Sequence, residues 1–398
     1  MNKKISLGVA ISLVAIGCAI TFVLTWTVSL NIYNSKISAS DSYEGVYAKL
    51  REIDAAVRTN YVGTIDDEAL ENGILNGYVM GIGDKYASYM GASSYYELRQ
   101  STDGIVLGAG FEAEEDGSGY LKITNVYRGS SAELNGVQTG DVITAIDGKS
   151  LLTLEEGTAP GLLSGEVGTR LALRLLRNGE ELSVNLIRQQ LEIESVSSRI
   201  IDGSIGYISI TAFNAKTPEQ FAQALGSVTE AGAQALILDV RGNGGGLVSA
   251  LKPILDRFLP AAIVATAEYA DGSRKTLIET DAGDVTSLPI AVLVDSGTGS
   301  ASELFAAALR DECGALLVGT QTFGKAVMQQ TYEFSDGSAV TVSTAKIYPS
   351  KSDSWDGVGL KPDYLTELPA GALLENLTQD TDSQLQKAIE VISVKIPA

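Results

Sequence analysis

An apolar residue returns at every third or fourth position across residues 41–60, which is the spacing of one helix face. Asp41 or Ser42 could cap the start of this helix. A second helix is predicted from Asp66 toward Tyr78, with acidic residues in its first turn. The pair suits either a packed helical hairpin or the dimerisation arm of a homo-oligomer, and the pattern does not decide between them.

Apolar and polar residues alternate in several stretches of residues 99–190, which predicts a β-rich domain. Leu171, Leu173 and Leu175 alternate before an Asn-Gly pair, and the alternation resumes after that pair. Two alternating runs joined by Asn-Gly are typical of a β-hairpin. Further strands are predicted after the glycine-rich turn at 104–112, at 123–126 and within 140–148.

Beyond residue 190, short apolar runs alternate with helical patterns, which predicts an α/β core with parallel strands. Thr217 is predicted to cap a helix, with Pro218 at its first position and Gln220 completing a capping box. In such sheets, sites collect where strand ends meet helix starts, and glycine-rich loops occupy two of these junctions. The predicted strands are 205–210, 235–240, 288–294 and 315–318, and the helices that follow the two loops are 247–258 and 300–310.

The start of the chain is apolar almost without interruption. Lys3 and Lys4 precede residues 5–35, which contain no charged side chain and could span a bilayer as a helix. We therefore predict that residues 1–36 form a cytoplasmic tip and a single transmembrane anchor, with the rest of the chain outside the cytoplasm. A cleaved signal peptide is the alternative, and Cys18 lies in a faint lipoprotein-like site, but the apolar run is long for either.

The formal net charge of −20 argues against nucleic acid as a partner, because phosphate binding needs basic patches. The chain contains no histidine, which excludes Ser-His-Asp and other histidine-based sites. Cysteine occurs only at Cys18 and Cys313, so the domains outside the membrane cannot form an internal disulfide. Cys313 is expected to be a small buried hydrophobe. With no Cys/His cluster and no calcium-loop spacing, we expect neither a metal nor a cofactor.

Without histidine, a serine nucleophile needs another base, and Ser300, Lys325 and Gln329 could form such a site. Ser300 opens a predicted helix after a glycine-rich loop, where free N–H groups and the helix dipole suit an oxyanion. Lys325 lies in apolar sequence, and burial would lower its pKa until the amine could accept a proton. Gln329 could hold the neutral amine in place by a hydrogen bond.

Each of these residues also has an ordinary structural explanation. Ser300 could be only a helix N-cap, Lys325 a surface lysine and Gln329 a polar residue on a strand surface. Composition alone also leaves nearby rivals for the same roles, namely Ser296, Ser302 and Gln330.

The glycine-rich run at 242–246 could bind a nucleotide phosphate, but it lacks both G-x-G-x-x-G and a following Gly-Lys-Ser/Thr. A nucleotide-binding protein is therefore the weaker alternative. Glycines before a helix also let backbone N–H groups approach a developing oxyanion. We favour this second interpretation, with Gly245 or Gly246 as one donor and the Ala301 N–H as the other.

Three segments, at 238–247, 299–303 and 323–329, resemble those of the carboxyl-terminal processing proteases, also called tail-specific proteases. Residues 129–148 resemble part of a PDZ domain. The likeness to the family runs from about residue 45 to about residue 390.

This resemblance implies a serine endopeptidase that uses Ser300 as nucleophile, Lys325 as general base and Gln329 as the residue that orients the lysine. It also implies a ClpP/crotonase-like α/β catalytic core and an inserted PDZ domain that captures the free carboxyl terminus of a protein or peptide substrate. The turn that would hold the substrate carboxylate comprises Gly108, Ala109, Gly110 and Phe111.

The sequence departs from the family pattern in three loops. Gly-Asn-Gly-Gly-Gly at 242–246 replaces the usual Asn-Asn-Pro-Gly-Gly, and Gly-Ala-Gly-Phe at 108–111 replaces a turn usually close to Gly-Ile-Gly. A Pro-Ser-Gly turn is replaced by Pro-Ser-Lys-Ser-Asp-Ser-Trp at 349–355. We expect altered loop and pocket shapes, with the backbone donors still in place.

Together these observations predict a serine endopeptidase anchored in the cell membrane, with its catalytic domain on the extracytoplasmic side. A catalytically inactive PDZ scaffold at the membrane surface is the alternative. A PDZ domain inserted between helices and core could also move with its ligand and gate the site. The predicted segments are the anchor at 1–36, a helical region at 37–98, the PDZ domain at 99–190 and the catalytic core at 191–398.

Overall fold

The chain divides after Ile74 into two compact units. Both helices predicted near the amino terminus are confirmed, with α1 over residues 44–60 and α2 over Asp67–Met80. Asp66 caps α2, because its Oδ1 accepts a hydrogen bond from the Ala69 N–H at 3.0 Å. The computed structural model describes residues 44–154, 158–281, 283 and 286–396, together with residue 21 and residues 25–27.

The predicted Asp41 or Ser42 cap and almost all of the predicted anchor at 5–35 lie outside the described residues. Across the part of the chain that is described, no helix is both long enough and apolar enough to cross a bilayer. The anchor is therefore still a prediction.

Strand β1 (Ser88–Met90) and helix α3 (Ala92–Asp103) lead into the β-rich domain. The strands of this domain are β2 (Ile105–Gly108), β3 (Phe111–Glu115), β4 (Leu121–Val126), β5 (Val142–Ile146), β6 (Lys149–Ser150), β7 (Arg170–Arg177), β8 (Glu180–Ile187) and β9 (Gln189–Glu192). The predicted hairpin is confirmed, because Leu171 of β7 lies opposite Leu186 of β8. Its turn residue Asn178 has a φ of 51°, as an Asn-Gly hairpin turn requires.

The main sheet of the β-rich domain has the strand order β3-β4-β5-β7-β8, with β6 paired to β5, and β2 pairs separately with β9. Strand β3 therefore lies at one edge of this sheet. Two short helices, α4 (Ser131–Leu134) and α5 (Ala159–Leu163), and a 3₁₀ turn at Leu151–Thr153 complete the domain. Its core is formed by fully buried alternating residues, including Ile123, Ile143, Leu171, Leu175 and Leu186.

The carboxyl-terminal half contains the predicted parallel sheet, in the order β10-β11-β12-β15-β16-β19. These strands are β10 (Val196–Ile201), β11 (Ile205–Ile210), β12 (Ala235–Asp239), β15 (Ile290–Val294), β16 (Leu316–Gly319) and β19 (Tyr364–Leu365). All neighbours are parallel except β10 and β11. Every residue of β12 and β15 is buried, as expected of central strands that are covered on both faces.

Helices cover both faces of this parallel sheet. Apolar residues of α6 (Thr217–Glu230), α7 (Leu251–Leu255) and α8 (Ala301–Cys313) share one buried cluster with one face. Helix α9 (Ser383–Ser393) packs on the opposite face, and a 3₁₀ turn at Leu374–Asn376 precedes it. The mixed α/β architecture predicted from the alternation of strands and helices is therefore confirmed.

A second sheet lies beside the first and has the order β1-β18-β13-β14, with β17 also paired to β18. Its later strands are β13 (Ala262–Tyr269), β14 (Arg274–Thr280), β17 (Val327–Glu333) and β18 (Ala339–Pro349). Strand β1 therefore joins a sheet whose other members all come more than 170 residues later in the chain (262 − 90 = 172).

The helix predicted over 247–258 is wrong in its extent. A 3₁₀ turn at Val248–Ala250 precedes the short α7. Pro253 has no N–H and is tolerated only in the first turn of an α-helix, so the helix begins at Leu251.

The capping box predicted for α6 is also wrong. Asn214 does the capping, because its Oδ1 accepts the N–H groups of Lys216 at 2.8 Å and Thr217 at 3.1 Å. The Gln220 side chain instead accepts the N–H of Ser195 at 2.8 Å, in the segment that joins the two domains. A tertiary contact has replaced the local one.

Cys313 is exposed, so the prediction of a buried thiol is wrong. It is the last residue of α8, where the helix ends at Gly314 in a left-handed conformation. Its Sγ donates to the Leu309 carbonyl at 3.0 Å.

Candidate active site

Ser300 stands where the turn after β15 enters α8, at the N-cap position, with φ of 54° and ψ of −116°. A positive φ costs a residue with a side chain about 1–3 kcal/mol, and such strain clusters at functional sites. Among the described residues other than glycine, three more have positive φ, and each begins an Asx-Gly turn: Asp147, Asn178 and Asp202. Turn chemistry explains those three and leaves Ser300 as a site candidate.

The two rival serines are placed differently. Ser302 is fully buried in the first turn of α8, and Ser296 is exposed in the turn after β15. The structure therefore separates Ser300 from its rivals by its strained backbone and its place at the helix start.

The carboxylate of Glu303 lies at the centre of the site and is fully buried. Its Oε2 accepts the N–H of Ser300 at 2.9 Å and the N–H of Lys325 at 2.8 Å. Its Oε1 accepts the N–H of Gly324 at 2.7 Å and the hydroxyl of Thr322 at 2.5 Å. Four donors compensate the buried charge, and one oxygen holds the main chains of the serine and the lysine together.

The loop after β12 approaches Ser300 through Gly245. A Cβ on Gly245 would lie 2.9 Å from the Gly299 oxygen and 3.0 Å from the Ala301 nitrogen, and the φ of Gly245 is 113°. Only glycine allows so close an approach in this conformation. Asn243 fixes the loop, since its Oδ1 accepts the Gly245 N–H at 2.9 Å and its carbonyl accepts the Gly299 N–H at 3.0 Å.

The predicted oxyanion donors differ in their present partners. The Gly245 N–H donates to Asn243, whereas the N–H groups of Gly246 and Ala301 donate to no acceptor within the described residues. Ala301 begins α8, and the first N–H groups of a helix have no partner inside it. The helix start can therefore stabilise a negative oxygen that forms beside Ser300.

Lys325 is partly buried, and its Nζ donates to Gln329 Oε1 and lies 4.8 Å from the centre of the Tyr86 ring. Burial lowers the pKa of Lys325, and the nearby carboxylate of Asp84 partly opposes this shift. A lysine with a lowered pKa is neutral in a larger fraction of molecules, so it can accept a proton.

Gln329 lies on β17, four residues after Lys325, and its Nε2 donates to the Tyr86 carbonyl at 2.7 Å. Its rival Gln330 is exposed, and successive strand residues point to opposite faces. The structure thus brings Gln329 and Lys325 into contact, and the shared Glu303 oxygen places the Lys325 main chain beside that of Ser300.

The predicted carboxylate-binding turn lies between the end of β2 at Gly108 and the start of β3 at Phe111. In the described part of the chain, the N–H groups of Ala109 and Gly110 donate to no acceptor. A Cβ on Gly110 would lie 2.0 Å from the Cβ of Ser130, so the turn needs glycine there. Free N–H groups beside an unpaired strand edge are suited to a peptide carboxylate.

A buried cluster around Arg241 ties the loop after β12 to α9. The Nη2 of Arg241 donates to Asp239 at 2.5 Å and to Asp382 at 2.8 Å, and its Nη1 donates to Gln384 at 2.9 Å. All four side chains are buried, and Asp382 also caps α9. The cluster fixes the start of the loop that reaches Ser300.

The described residues contain no group of three or more acidic or cysteine side chains that could hold a metal ion. The loop at 242–246, considered above for a nucleotide phosphate, packs against Gly299 and Ala301 through Gly245. Its backbone therefore lies beside the serine.

Glu303, Asp84 and Tyr86 have no role predicted from the sequence. Glu303 did carry a signal, because it follows Ser300 by three residues, which is the spacing of a capping box. Asp84 and Tyr86 carried none, since their proximity to Lys325 depends on the pairing of β1 with β18.

Two family models match the chain. Residues 204–366 match the model described as peptidase family S41, and residues 106–187 match the model described as PDZ domain. The first range contains the site around Glu303, and the second contains the free N–H groups of the carboxylate-binding turn.

The chain is 30% identical over 383 residues to the carboxy-terminal processing protease CtpA of Bacillus subtilis, an alignment that covers 96% of this chain and 81% of that one. It is 34% identical over 307 residues to a carboxyl-terminal-processing protease of Synechocystis, with 75% and 71% covered. A solved structure from Bacteroides fragilis, assigned to the S41 proteases, superposes with a TM-score of 0.51 at 18% identity, covering 87% of this chain and 97% of that one.

Proposed function

Because the chain belongs to peptidase family S41 and is a carboxyl-terminal processing serine protease with a PDZ domain, we propose that Ser300 is its nucleophile and Lys325 its general base. The observation that carries this assignment is the buried Glu303, whose Oε2 accepts the main-chain N–H of both residues. A shared acceptor keeps the two residues at a fixed separation, as proton transfer between side chains requires.

The proposed reaction starts from neutral Lys325. Its Nζ takes the hydroxyl proton of Ser300 while the serine Oγ attacks the carbonyl carbon of the scissile peptide bond. The resulting ammonium protonates the leaving amine as the C–N bond breaks, which leaves an ester on Ser300. Water then attacks this ester, with Lys325 again accepting a proton and returning it to the serine oxygen. Gln329 holds the amine throughout.

The negative oxygen that forms during each attack would lie at the start of α8. We assign the Ala301 N–H as one donor and the backbone of Gly245 or Gly246 as the other. The close approach of Gly245 to Ala301 supports this assignment.

Substrate capture is proposed for the PDZ domain. A substrate carboxyl terminus would add a strand to the free edge of β3, and its carboxylate would accept hydrogen bonds from the turn at 108–111. Substrates would therefore be unfolded protein segments or peptides with free carboxyl termini.

Membrane anchoring through residues 1–36 is a further part of the proposal, with the protease on the extracytoplasmic side. It is supported by the uncharged stretch at 5–35 and the two lysines before it. Alkaline washing of membranes should leave the full chain in the pellet and release a chain that lacks residues 1–36. Full-length chain in the wash would contradict the anchor.

We also propose that the catalytic core is ClpP/crotonase-like. Support comes from the parallel strands β11, β12 and β15 and from the nucleophile candidate that follows β15 at a helix start. A crystal structure whose core strands follow a different order and direction from those folds would refute this likeness.

The direct test compares the full chain, in mild detergent, with its Ser300→Ala and Lys325→Ala variants. Each is incubated with an unfolded reporter protein that has a free apolar carboxyl terminus, and fragments are identified by mass. Cleavage by wild type alone establishes the nucleophile and the base. Cleavage by the Ser300→Ala variant would move the nucleophile elsewhere, and an uncut reporter with wild type would favour the PDZ scaffold.

The pH dependence of kcat/KM follows from the environment of Lys325. Only the neutral amine can take the serine proton, so kcat/KM should rise with pH along a single limb. Because burial lowers the pKa of Lys325, the limb should lie below the pH at which an exposed lysine titrates. A rate that is constant from about pH 5 to pH 10 would contradict Lys325 as the base.

A further inference from the structure

The lysine and glutamine of the site are reached by a turn that precedes the PDZ domain in the chain. Three groups of Tyr86 contact the segment from Gly324 to Gln329. Its carbonyl accepts the Gln329 Nε2–H at 2.7 Å, its hydroxyl donates to the Gly324 carbonyl at 3.3 Å, and its ring centre lies 4.8 Å from Lys325 Nζ.

This turn is fixed to β18, which pairs with β17, the strand that begins two residues after Lys325. The Asp84 carboxylate accepts the Ser343 N–H at 2.8 Å and the Ser343 hydroxyl at 3.1 Å. It also accepts the Tyr86 N–H at 3.0 Å, which closes the turn. Ser343 lies directly opposite Gln329 in the pairing of β17 with β18. The turn before β1 is therefore held at the position where the glutamine meets the lysine.

The Tyr86 carbonyl decides which end of the Gln329 amide faces the lysine. An amide can rotate to present either its oxygen or its NH₂ group, and a carbonyl accepts only from the NH₂ group. With Nε2 on the Tyr86 carbonyl, Oε1 is left for Lys325 Nζ, as observed. The amide then accepts one amine hydrogen both before and after the lysine takes a proton.

The Tyr86 ring acts on the same nitrogen. An aromatic face within about 6 Å attracts a cation, so the ring favours the ammonium that forms when the lysine takes the serine proton. Because the ring is apolar, it also keeps water from the amine and so contributes to the burial that lowers the pKa of Lys325.

We propose that Tyr86 is a positioning residue for the general base, orienting Gln329 through its carbonyl and supporting the Lys325 ammonium with its ring. This inference rests on the proposed function, since it assumes that Lys325 is the base. It also assigns a role to a segment that neither family model covers, because residues 84–90 lie outside both matched ranges.

Other charged groups near the lysine also act on its titration, and the test must leave them unchanged. Asp84 favours the ammonium, whereas Glu303 binds main-chain N–H groups, including that of Lys325 itself. Other charged residues on elements beside Lys325 include Lys85 in the turn, Glu333 at the end of β17, Lys346 on β18 and Asp356, which accepts the Ala326 N–H.

The first experiment uses the full chain with Tyr86→Leu and Tyr86→Phe and a quenched peptide with a free apolar carboxyl terminus. Leucine keeps an apolar side chain over the amine and removes the aromatic face. We expect kcat to fall about 10-fold and the limb of kcat/KM to move about one pH unit lower, with KM unchanged. Phenylalanine keeps the ring and should retain the wild-type limb.

The position of a pH limb does not depend on how much enzyme is folded, so partial unfolding cannot imitate this result. A Tyr86→Leu limb at the wild-type pH would overturn the role of the ring. A Tyr86→Phe limb displaced as far as that of Tyr86→Leu would also overturn it, because the hydroxyl would then be responsible.

A second pair of variants tests the contact between position 329 and the lysine. Gln329→Glu places a carboxylate between the Tyr86 carbonyl and Lys325 Nζ, which favours the ammonium. The limb should therefore move about one pH unit higher, the opposite direction from Tyr86→Leu. Gln330→Glu, one residue along the same strand, should leave the limb in place, and equal shifts in both variants would contradict the contact.

The outcome also separates this inference from the function on which it rests. An active Lys325→Ala variant would remove the base assignment itself. An inactive Lys325→Ala variant together with a wild-type profile in Tyr86→Leu would refute only the positioning role.

Discussion

The two halves of the candidate active site are built differently. Ser300 and its backbone donors stand on neighbouring loops of one parallel sheet, and their geometry is set by main-chain contacts among Gly245, Gly299 and Ala301. In the lysine half, Lys325 lies just before a β-hairpin of the other sheet and Gln329 lies on its first strand. This half depends on side-chain contacts with Tyr86, which is distant in sequence.

This difference means that the main chain around Ser300 is rigid, whereas the environment of the Lys325 amine depends on side chains. A strained serine beside a glycine contact leaves little freedom for oxyanion geometry. Burial, by contrast, lowers the pKa of Lys325, the Asp84 carboxylate partly opposes this shift, and the amine contacts the side chains of Gln329 and Tyr86. In the proposed mechanism, the first half would fix where the reaction occurs, and the second would set the pH at which it occurs.

Glu303 joins the two halves, so its loss should have the largest effect. Each carboxylate oxygen of Glu303 accepts two hydrogen bonds, but glutamine has only one side-chain oxygen. Its NH₂ group would face two of the four donors and could not accept from them. Each buried donor left unpaired costs about 1–3 kcal/mol, and a shift of about 1 Å in the site costs about 100-fold in rate. We expect Glu303→Gln to lower kcat/KM at least about 100-fold and to reduce the free energy of unfolding.

Steady-state rates and chemical denaturation check this prediction. Glu230→Gln, at an exposed position at the end of α6, removes one charge without touching the site and serves as the control. A Glu303→Gln variant as active as this control would show that the two halves are held together by other contacts.

Gly245→Ala should damage the serine half alone. Its Cβ would lie within 3.0 Å of the Gly299 oxygen, the Ser300 Cβ and the Ala301 nitrogen. Loss of one oxyanion donor costs about 100-fold or more in kcat, so we expect a fall of about that size with the pH limb unchanged.

Gly244→Ala is the matched control for this prediction, because a Cβ on Gly244 meets open space and its φ is not in the left-handed region. It should keep most of the wild-type kcat. Equal losses in the two variants would mean that the loop tolerates no side chain anywhere, and the close approach of Gly245 would not be the cause.

Changes in the PDZ turn should leave both halves intact and have the smallest effect. Gly110→Ala forces the turn away from Ser130, so the substrate carboxylate should lose its donors. A hydrogen bond to a charged group contributes about 1.5–3 kcal/mol, which corresponds to at least about a 10-fold rise in KM. We expect KM to rise in this way while kcat stays close to that of wild type.

Amidation of the peptide's carboxyl terminus provides the control. It should raise KM for wild type by a similar factor and have no further effect on Gly110→Ala. A fall in kcat with unchanged KM would instead show that the PDZ domain acts on the catalytic site.

Periodicity in the sequence predicted the hairpin at 170–187 and the parallel strands because alternation and apolar runs are local signals. Ser300, Lys325 and Gln329 lie within 30 residues of one another, and their resemblance to a known family indicated their roles. Tyr86 could not be found in this way, because Gln329 lies 243 residues from it and they meet only through the docking of β1.

The wrong predictions share the same physical origin. The Gln220 side chain had a local use as a cap, but it binds the Ser195 N–H across the chain. Cys313 was expected to be buried because cysteine usually is, and its place at the end of α8 exposes it. Local propensity is a weak constraint where a tertiary contact or a helix terminus decides.

The ion pair between Arg241 and Asp382 joins residues 141 positions apart, and it has a consequence for biosynthesis. The ribosome releases Ser300 and Lys325 well before Asp382. Until α9 docks, Arg241 lacks one of its two carboxylates, and the loop that reaches the serine lacks its anchor. A nascent chain therefore has both Ser300 and Lys325 before it can form the contact that anchors the loop beside the serine.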